Sequence, residues 1–261
     1  MNEGVNRPTA EVVRVTSRYA AARRNRPAEP VLKQVSLAVH PLRTVGLVGE
    51  SGCGKSTLGR VMLKLLPVEA GQVRFEGRDI TGLSLREMRP LRRRMQIVFQ
   101  HPDSSFNPRA VLLDSLVEPT AIHRSMSRSD AADRARQLLD VVGLHPELLS
   151  RYPHQVSGGQ LQRMALVRIL MLEPKFIVLD EPTSMLDVSV QAQLVECLRR
   201  VQQEFGIAYL FISHDLDLIR RVSDDIAVMQ GGRIVEQGTP EQIWEAPREA
   251  YTRALVEAFR F

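Results

Sequence analysis

"RTVGLVGESGCGKSTLGRVMLKLL", Arg43 to Leu66, changes character twice along its length. The run Arg43 to Gly49 is apolar and β-rich, as a short buried strand is. Gly49 to Thr57, "GESGCGKST", carries three glycines and a lysine with very little other side chain. After it, Leu58, Val61, Met62, Leu65 and Leu66 recur at helical spacing. Gly49, four residues, then Gly54, Lys55 and Ser56 is the spacing of a phosphate-binding loop. In such a loop backbone N–H groups cradle phosphate oxygens, the lysine reaches the terminal phosphates and the serine hydroxyl holds Mg²⁺. Joining a strand to a helix, the loop also sets a helix N-terminus at the anion. A nucleotide is the expected ligand, with Gly49, Glu50, Ser51, Gly52, Cys53, Gly54, Lys55, Ser56 and Thr57 as its contacts.

The rest of the chain is read outward from that loop. Its 261 residues can bury a sizeable core, and 44% hydrophobic with 25% charged residues is ordinary globular usage. No apolar run approaches the ~18 to 20 residues of a membrane-spanning helix. The start, "MNEGVNRPTAEVVRV", lacks the basic and apolar regions of a secretory signal, so a cytosolic protein is expected. Cys53 and Cys197, the two cysteines, agree with a reducing compartment. A net charge of +5 raises nucleic acid as a partner, but "RRNR" and "LRRRM" have no interleaved aromatics. These groups read as a solvated basic face, and no nucleic-acid partner is expected. The six histidines show no ligand-type clustering, which speaks against structural zinc.

"EVVRVTSRY", "KQVSLAVH" and "GQVRFEGRDI" alternate apolar and polar residues, as half-buried antiparallel strands do. "RTVGLV", "QIVF", "FIVLD" and "AYLFIS" are near-continuous apolar runs separated by helical stretches, the pattern of buried parallel strands. Between about Pro102 and Leu172 helical patterns take over. In "SDAADRARQLLDVVGL", Ala131, Ala135, Leu138, Leu139 and Val142 share one face, with Ser129 expected to cap the helix and Gly143 to end it. The last stretch, from "EQIWEAP" onward, reads as two short helices broken at Pro247. The fold class is therefore α/β. It comprises a phosphate-loop NTPase core with a parallel sheet, an N-terminal antiparallel β subdomain and an inserted α-helical subdomain.

Two further motifs carry chemistry. In "FIVLDEPTS" a buried strand delivers Asp180 and Glu181 at its carboxyl end, where open parallel sheets bind ligands. Asp180 is placed to order Mg²⁺ and Glu181 to take a proton from an attacking water. "VSGGQLQR", Val156 to Arg163, opens a helix with a capping Ser157 and two glycines, a second device for an anion. Two such devices on one chain point to a nucleotide shared between two subunits.

In this order the motifs resemble the ATP-binding subunits of ABC transporters, and the resemblance covers nearly the whole chain. Tyr19 resembles the aromatic that stacks on adenine, Gly49 to Thr57 the Walker A loop, and Gln100 the Q-loop glutamine. Ser157, Gly158, Gly159 and Gln160 match the signature, and Asp180 with Glu181 the Walker B pair. "SMLD", Ser184 to Asp187, resembles the D-loop and His214 the switch histidine. Val156 stands where the family usually has leucine, Met185 where it has alanine, and a basic insert follows Tyr19. The resemblance implies one ABC ATPase domain over residues 1–261. Its α/β core would be residues 1–101 and 173–261, and its helical subdomain residues 102–172.

It also implies the site: Lys55, Glu181, His214 and Gln100 for catalysis, Ser56, Gln100 and Asp180 for Mg²⁺, and Asp187 beside the ATP. "FQHPDSSFNPR", "YPHQVSGGQLQR", "DVSVQAQ" and "APREAYTRAL" resemble the subfamily that energises peptide and nickel uptake, and "GGQLQR" its second ATPase subunit. Two cysteines cannot supply the four ligands of the iron–sulfur cluster found in many of those relatives. The implied partners are transmembrane permease subunits, a second ATPase subunit that is either a related chain or another copy of this one, and an extracytoplasmic solute-binding protein reached through the permease. The implied place is the cytoplasmic face of the inner membrane, and the cargo peptide, nickel or a metal chelate. A soluble ABC ATPase acting on DNA or ribosomes, or an exporter subunit, would use the same site.

Overall fold

A computed structural model of the chain describes residues 7–18, 29–100, 102–184 and 186–259. Along the chain run β1 (Ala10–Ser17), β2 (Leu32–Val39), β3 (Thr44–Val48), α1 (Lys55–Met62), β4 (Ala70–Phe75), β5 (Arg78–Asp79), α2 (Leu85–Arg92) and β6 (Met95–Val98). Then come α3 (Leu112–His123), α4 (Arg128–Val141), α5 (Gly158–Leu170), β7 (Phe176–Asp180), α6 (Val188–Phe205), β8 (Ala208–Ile212) and α7 (Leu216–Val222). Last are β9 (Asp225–Gln230), β10 (Arg233–Gly238), α8 (Pro240–Glu245) and α9 (Ala250–Phe259). The described residues fall into two compact units, one from Met1–Met88 with Ala208–Phe261, the other from Arg89–Ile207.

In the first unit β1 pairs antiparallel with β2 and β4, and β5 continues the sheet beyond β4. Ala10, Val12, Val15 and Ser17 of β1 are buried between less buried neighbours, which is the alternation that marked these strands in the sequence. A second set of strands is organised around β3. All five of its residues are buried, and it runs parallel to β8 on one side and β9 on the other. β10 returns antiparallel to β9 through Gly231 and Gly232, both at positive φ. β9 and β10 were not marked by the sequence pattern, although "DIAVMQGGRIVEQG" has a Gly-Gly turn between two strand-like runs.

The helix after the phosphate loop is shorter than its apolar spacing predicts. It stops at Met62 because Lys64 turns left-handed, at φ 55, and the N–H of Leu65 reaches back to the Arg60 carbonyl. Leu65 is consequently 47% exposed instead of continuing the apolar face.

The second unit pairs β6 with β7 in parallel, Val98 beside Leu179, and carries α2 to α6. The helical stretch of residues 102–172 lies within it. Ala131, Ala135, Leu138 and Leu139 are buried as their spacing requires. The cap of α4 is Ser127 and not Ser129: the Ser127 hydroxyl accepts the Asp130 N–H, so the helix begins two residues earlier. Gly143, at φ 67, follows the end of α4 as expected. Arg168 of α5 braces this unit, donating to the Ser115 carbonyl at 3.0 Å, to Glu118 at 2.6 Å and to the Ser105 carbonyl.

β3 accepts α7 only because residue 46 is glycine. A Cβ there would lie 2.3 Å from Ser223 Oγ and 2.4 Å from Ile219 Cγ2. Gly46→Ala is therefore expected to destabilise the protein by about 1 to 3 kcal/mol through overpacking, read as a lower denaturant midpoint. An unshifted midpoint would show that α7 yields at no cost.

Candidate active site

The phosphate loop leaves β3 at its carboxyl end and enters α1. Gly49, Gly52 and Gly54 all have positive φ, at 151, 80 and 111°. Gly49 has a second reason to be glycine, since a Cβ would lie 2.0 Å from the Met229 carbonyl oxygen. Gly54 is the N-cap residue of α1, which receives no side-chain cap. A helix start without a side-chain cap is a place where an anion can take the cap's role.

Lys55 is only 6% exposed, and its ammonium donates to the carbonyls of Gly49 at 2.7 Å and Glu50 at 2.9 Å. Burial pushes the neighbouring Cys53 thiol up, outweighing the opposing charge of Lys55, so it stays a protonated packing residue. Burial likewise pushes Cys197 up to about 11.

β8 runs parallel to β3 with Ile212 beside Leu47, so Ser213 and His214 leave the strands at the edge where the phosphate loop begins. Ser213 is tied to β3 through the Leu47 carbonyl, and Asp215 caps α7 by accepting the Leu218 N–H at 3.0 Å. His214, exposed between these two anchored residues, is held at that edge by the backbone on both sides. One contact here has no local sequence signal. The hydroxyl of Tyr251, on α9, accepts the Glu50 N–H at 2.9 Å.

In the second unit, parallel pairing of β6 and β7 brings Gln100 and the Asp180–Glu181 pair out at one edge. Asp180 is 8% exposed at the end of a fully buried strand. Glu181 has φ 50, a left-handed conformation that costs a non-glycine residue on the order of 1 to 2 kcal/mol and collects at functional positions. Ser157 caps α5 in a reciprocal box: its hydroxyl accepts the Gln160 N–H at 3.3 Å, and the Gln160 side chain accepts the Ser157 N–H at 2.9 Å.

Asp187 caps α6, and the hydrogen bonds from the Val190 N–H and the Ser189 hydroxyl hold its carboxyl below the usual carboxylate range. Gly159 lies against the start of α6, where a Cβ would be 2.4 Å from Val190 Cγ1. Tyr19, expected to stack on adenine, and Met185 of the D-loop lie outside the described residues. Among the described residues no group of three or more His, Cys, Asp and Glu gathers into a metal cage.

A glycine-rich loop ending in a buried lysine, set between a parallel strand and a helix, defines a phosphate-loop nucleotide-binding protein. The family described as ABC transporter matches residues 32–184, and the chain belongs to it. The di/tripeptide transport ATP-binding protein DppF of Pseudomonas aeruginosa is 46% identical over 87% of this chain and 70% of its own length. The oligopeptide transport ATP-binding protein OppF of Salmonella typhimurium is 44% identical over 86% of this chain and 67% of its own. Among solved structures, the dimeric bacterial ABC transporter cassette MJ0796 is similar at a TM-score of 0.78 and 26% identity, covering 88% of this chain and 98% of that one. The chain is an ATP-binding subunit of the ABC type and an ATPase.

The two loop glycines separate strain from crowding. Gly52→Ala meets no atom within 4 Å, and only its φ opposes the change, at about 1 to 2 kcal/mol. Gly49→Ala meets backbone as well, so thermal unfolding is expected to show a clearly larger loss than for Gly52→Ala. Equal losses would mean that the Met229 carbonyl does not constrain the loop.

Proposed function

We propose that this chain is the ATP-hydrolysing subunit of an importer for peptides, docked at the cytoplasmic face of the membrane on permease subunits. The observation that carries the proposal is that relatives 44 to 46% identical over most of the chain are named for transport or import of peptides or glutathione. Those names favour peptides over the nickel or metal chelates that the motifs also allow. Among the described residues no helix is long and apolar enough to cross a membrane, in keeping with a subunit that works on a separate permease. The partner ATPase would be a related second subunit, and solute would reach the permease from an extracytoplasmic binding protein.

Lys55 would carry the counter-charge of the terminal phosphates, with the N–H groups of the loop around them. Ser56, Asp180 and Gln100 offer a hydroxyl, a carboxylate and an amide oxygen, a hard-donor set that suits Mg²⁺ held together with phosphate oxygens. Bound there, the cation supplies charge neutralisation on the transferred phosphoryl group. Glu181 would accept the proton of the attacking water and His214 would contact the γ-phosphate. Gln100 would report the phosphate to the helices that follow it, the first turn after it being tied to α5 through Arg168 and Ser105. Ser157, Gly158, Gly159 and Gln160 would close the nucleotide held by the partner's loop, with Asp187 beside them.

Glu181→Gln keeps size and removes the base. With the permease in vesicles, ATP binding is expected to persist while turnover falls by about 10² to 10⁴ and peptide uptake falls with it. Undiminished turnover would remove Glu181 from the chemistry, and uptake of nickel in place of peptide would overturn the cargo.

Ser157→Arg tests the sharing of nucleotides between subunits. Bulk and charge at that helix start are expected to leave ATP binding to the isolated chain nearly intact and to block ATP-dependent pairing. Mixed with an intact partner, the variant should disable the nucleotide on the partner's loop and spare its own. Normal closure with ATP, measured by size or crosslinking, would refute the shared site.

A further inference from the structure

The motif "APREAYTRAL" marks the chain's subfamily, yet none of its residues takes part in the chemistry assigned above. Its tyrosine nevertheless touches the phosphate loop. The atoms involved belong to one peptide group, the one that joins Gly49 to Glu50. The carbonyl oxygen of that group accepts the Lys55 ammonium at 2.7 Å, and its N–H donates to the Tyr251 hydroxyl at 2.9 Å. A peptide group is planar, so its two ends turn together. Gly49, at φ 151, places no side chain in the way of such a turn. The two hydrogen bonds thus hold the plane of that peptide from opposite sides.

The tyrosine is itself held from β10. The Glu236 carboxylate accepts the N–H groups of Arg248 at 2.8 Å and Glu249 at 3.1 Å, which pins the residues immediately before α9. Arg253 adds to this by donating to the carbonyls of Pro247 and Arg248. Tyr251 follows two residues after Glu249, so its hydroxyl is delivered to Glu50 by an anchored helix start and not by a loose tail.

We infer that Tyr251 is a positioning residue for the nucleotide: it holds the Gly49–Glu50 peptide so that Lys55 stays aimed along the loop, and it makes phosphate affinity depend on the docking of the C-terminal helix. Hydrogen bonds at the two ends of one peptide polarise each other, so loss of the phenol weakens the lysine's acceptor as well as freeing the N–H. The effect runs through Lys55, whose charge serves the terminal phosphates. It bears on ATP and ADP and not on AMP, which lacks them.

The test compares Tyr251→Phe with the wild-type full chain, the ring being kept and the hydroxyl removed. Dissociation constants for ATP and ADP are expected to rise about threefold to tenfold, the ordinary worth of one hydrogen bond, with AMP binding unchanged. In steady state KM for ATP rises by the same factor while kcat stays within about twofold, since the hydroxyl touches no reacting atom. Amide exchange at Glu50 in the nucleotide-free chain should accelerate in step. Glu236→Gln, which retains the phenol and loosens its anchor, should weaken ATP in the same direction by less. Unchanged ATP affinity in Tyr251→Phe would overturn the inference while leaving the ATPase assignment intact. So would an equal loss for ATP and AMP accompanied by a lower melting temperature, which would assign Tyr251 to packing of α9 alone. A wild-type chain that failed to bind ATP would overturn both.

Discussion

The buried ammonium of Lys55 sets the terms for the nucleotide loop. A charge at this degree of burial is costly unless it is hydrogen-bonded and paired, and its partners among the described residues are two neutral carbonyls and, at 4.0 Å, the Cys53 sulfur. These neutral partners take up its donors without cancelling its charge, so the loop favours an anion. To turn both carbonyls toward the lysine the backbone must pass through left-handed conformations, and glycines stand at those positions. The strand before the loop must in turn be rigid, which β3 achieves with neighbours on both sides. Sequence, strain and electrostatics thus converge on one cation.

The second unit meets a similar problem with different means. The groups proposed to face a phosphate there are N–H donors at a helix start, fixed by a reciprocal Ser157–Gln160 cap, and its carboxylates stand at a strand end. Neither arrangement needs a buried positive charge. Glu181 instead carries backbone strain, a local penalty tolerated where orientation of a side chain matters more than stability. On the proposed roles, binding and chemistry draw on separate physical resources within the same chain.

Much of this was legible in the sequence because its signals are local. The phosphate loop announces itself by composition within nine residues, and β7 by an apolar run followed by two acids. The signature cap was visible as Ser157 ahead of two glycines, while the reciprocal hold by Gln160 came only with the structure. What escaped the sequence depended on distant partners or small steric choices. β9 and β10 went unread although a Gly-Gly turn joins their two strand-like runs, because their pairing with β3 and with each other is fixed by tertiary contact and not by the run alone. α1 ended early because a single residue, Lys64, took a left-handed turn that no glycine advertised. Ser127 and Ser129 are equally good caps by type, and only the geometry of the first turn separates them. Tyr251 lies 201 positions from Glu50, beyond the reach of any periodicity.

The contact of Gly159 with Val190 has a mechanical meaning. With hydrogen in place of a side chain, the first turns of α5 and α6 meet at close range, without a compressible layer of atoms between them. Ser157 caps one of those helices and Asp187 the other. The two capped helix starts are thereby held against each other through a single close contact. Any larger residue at this junction would have to push Val190, and with it the start of α6, away from α5.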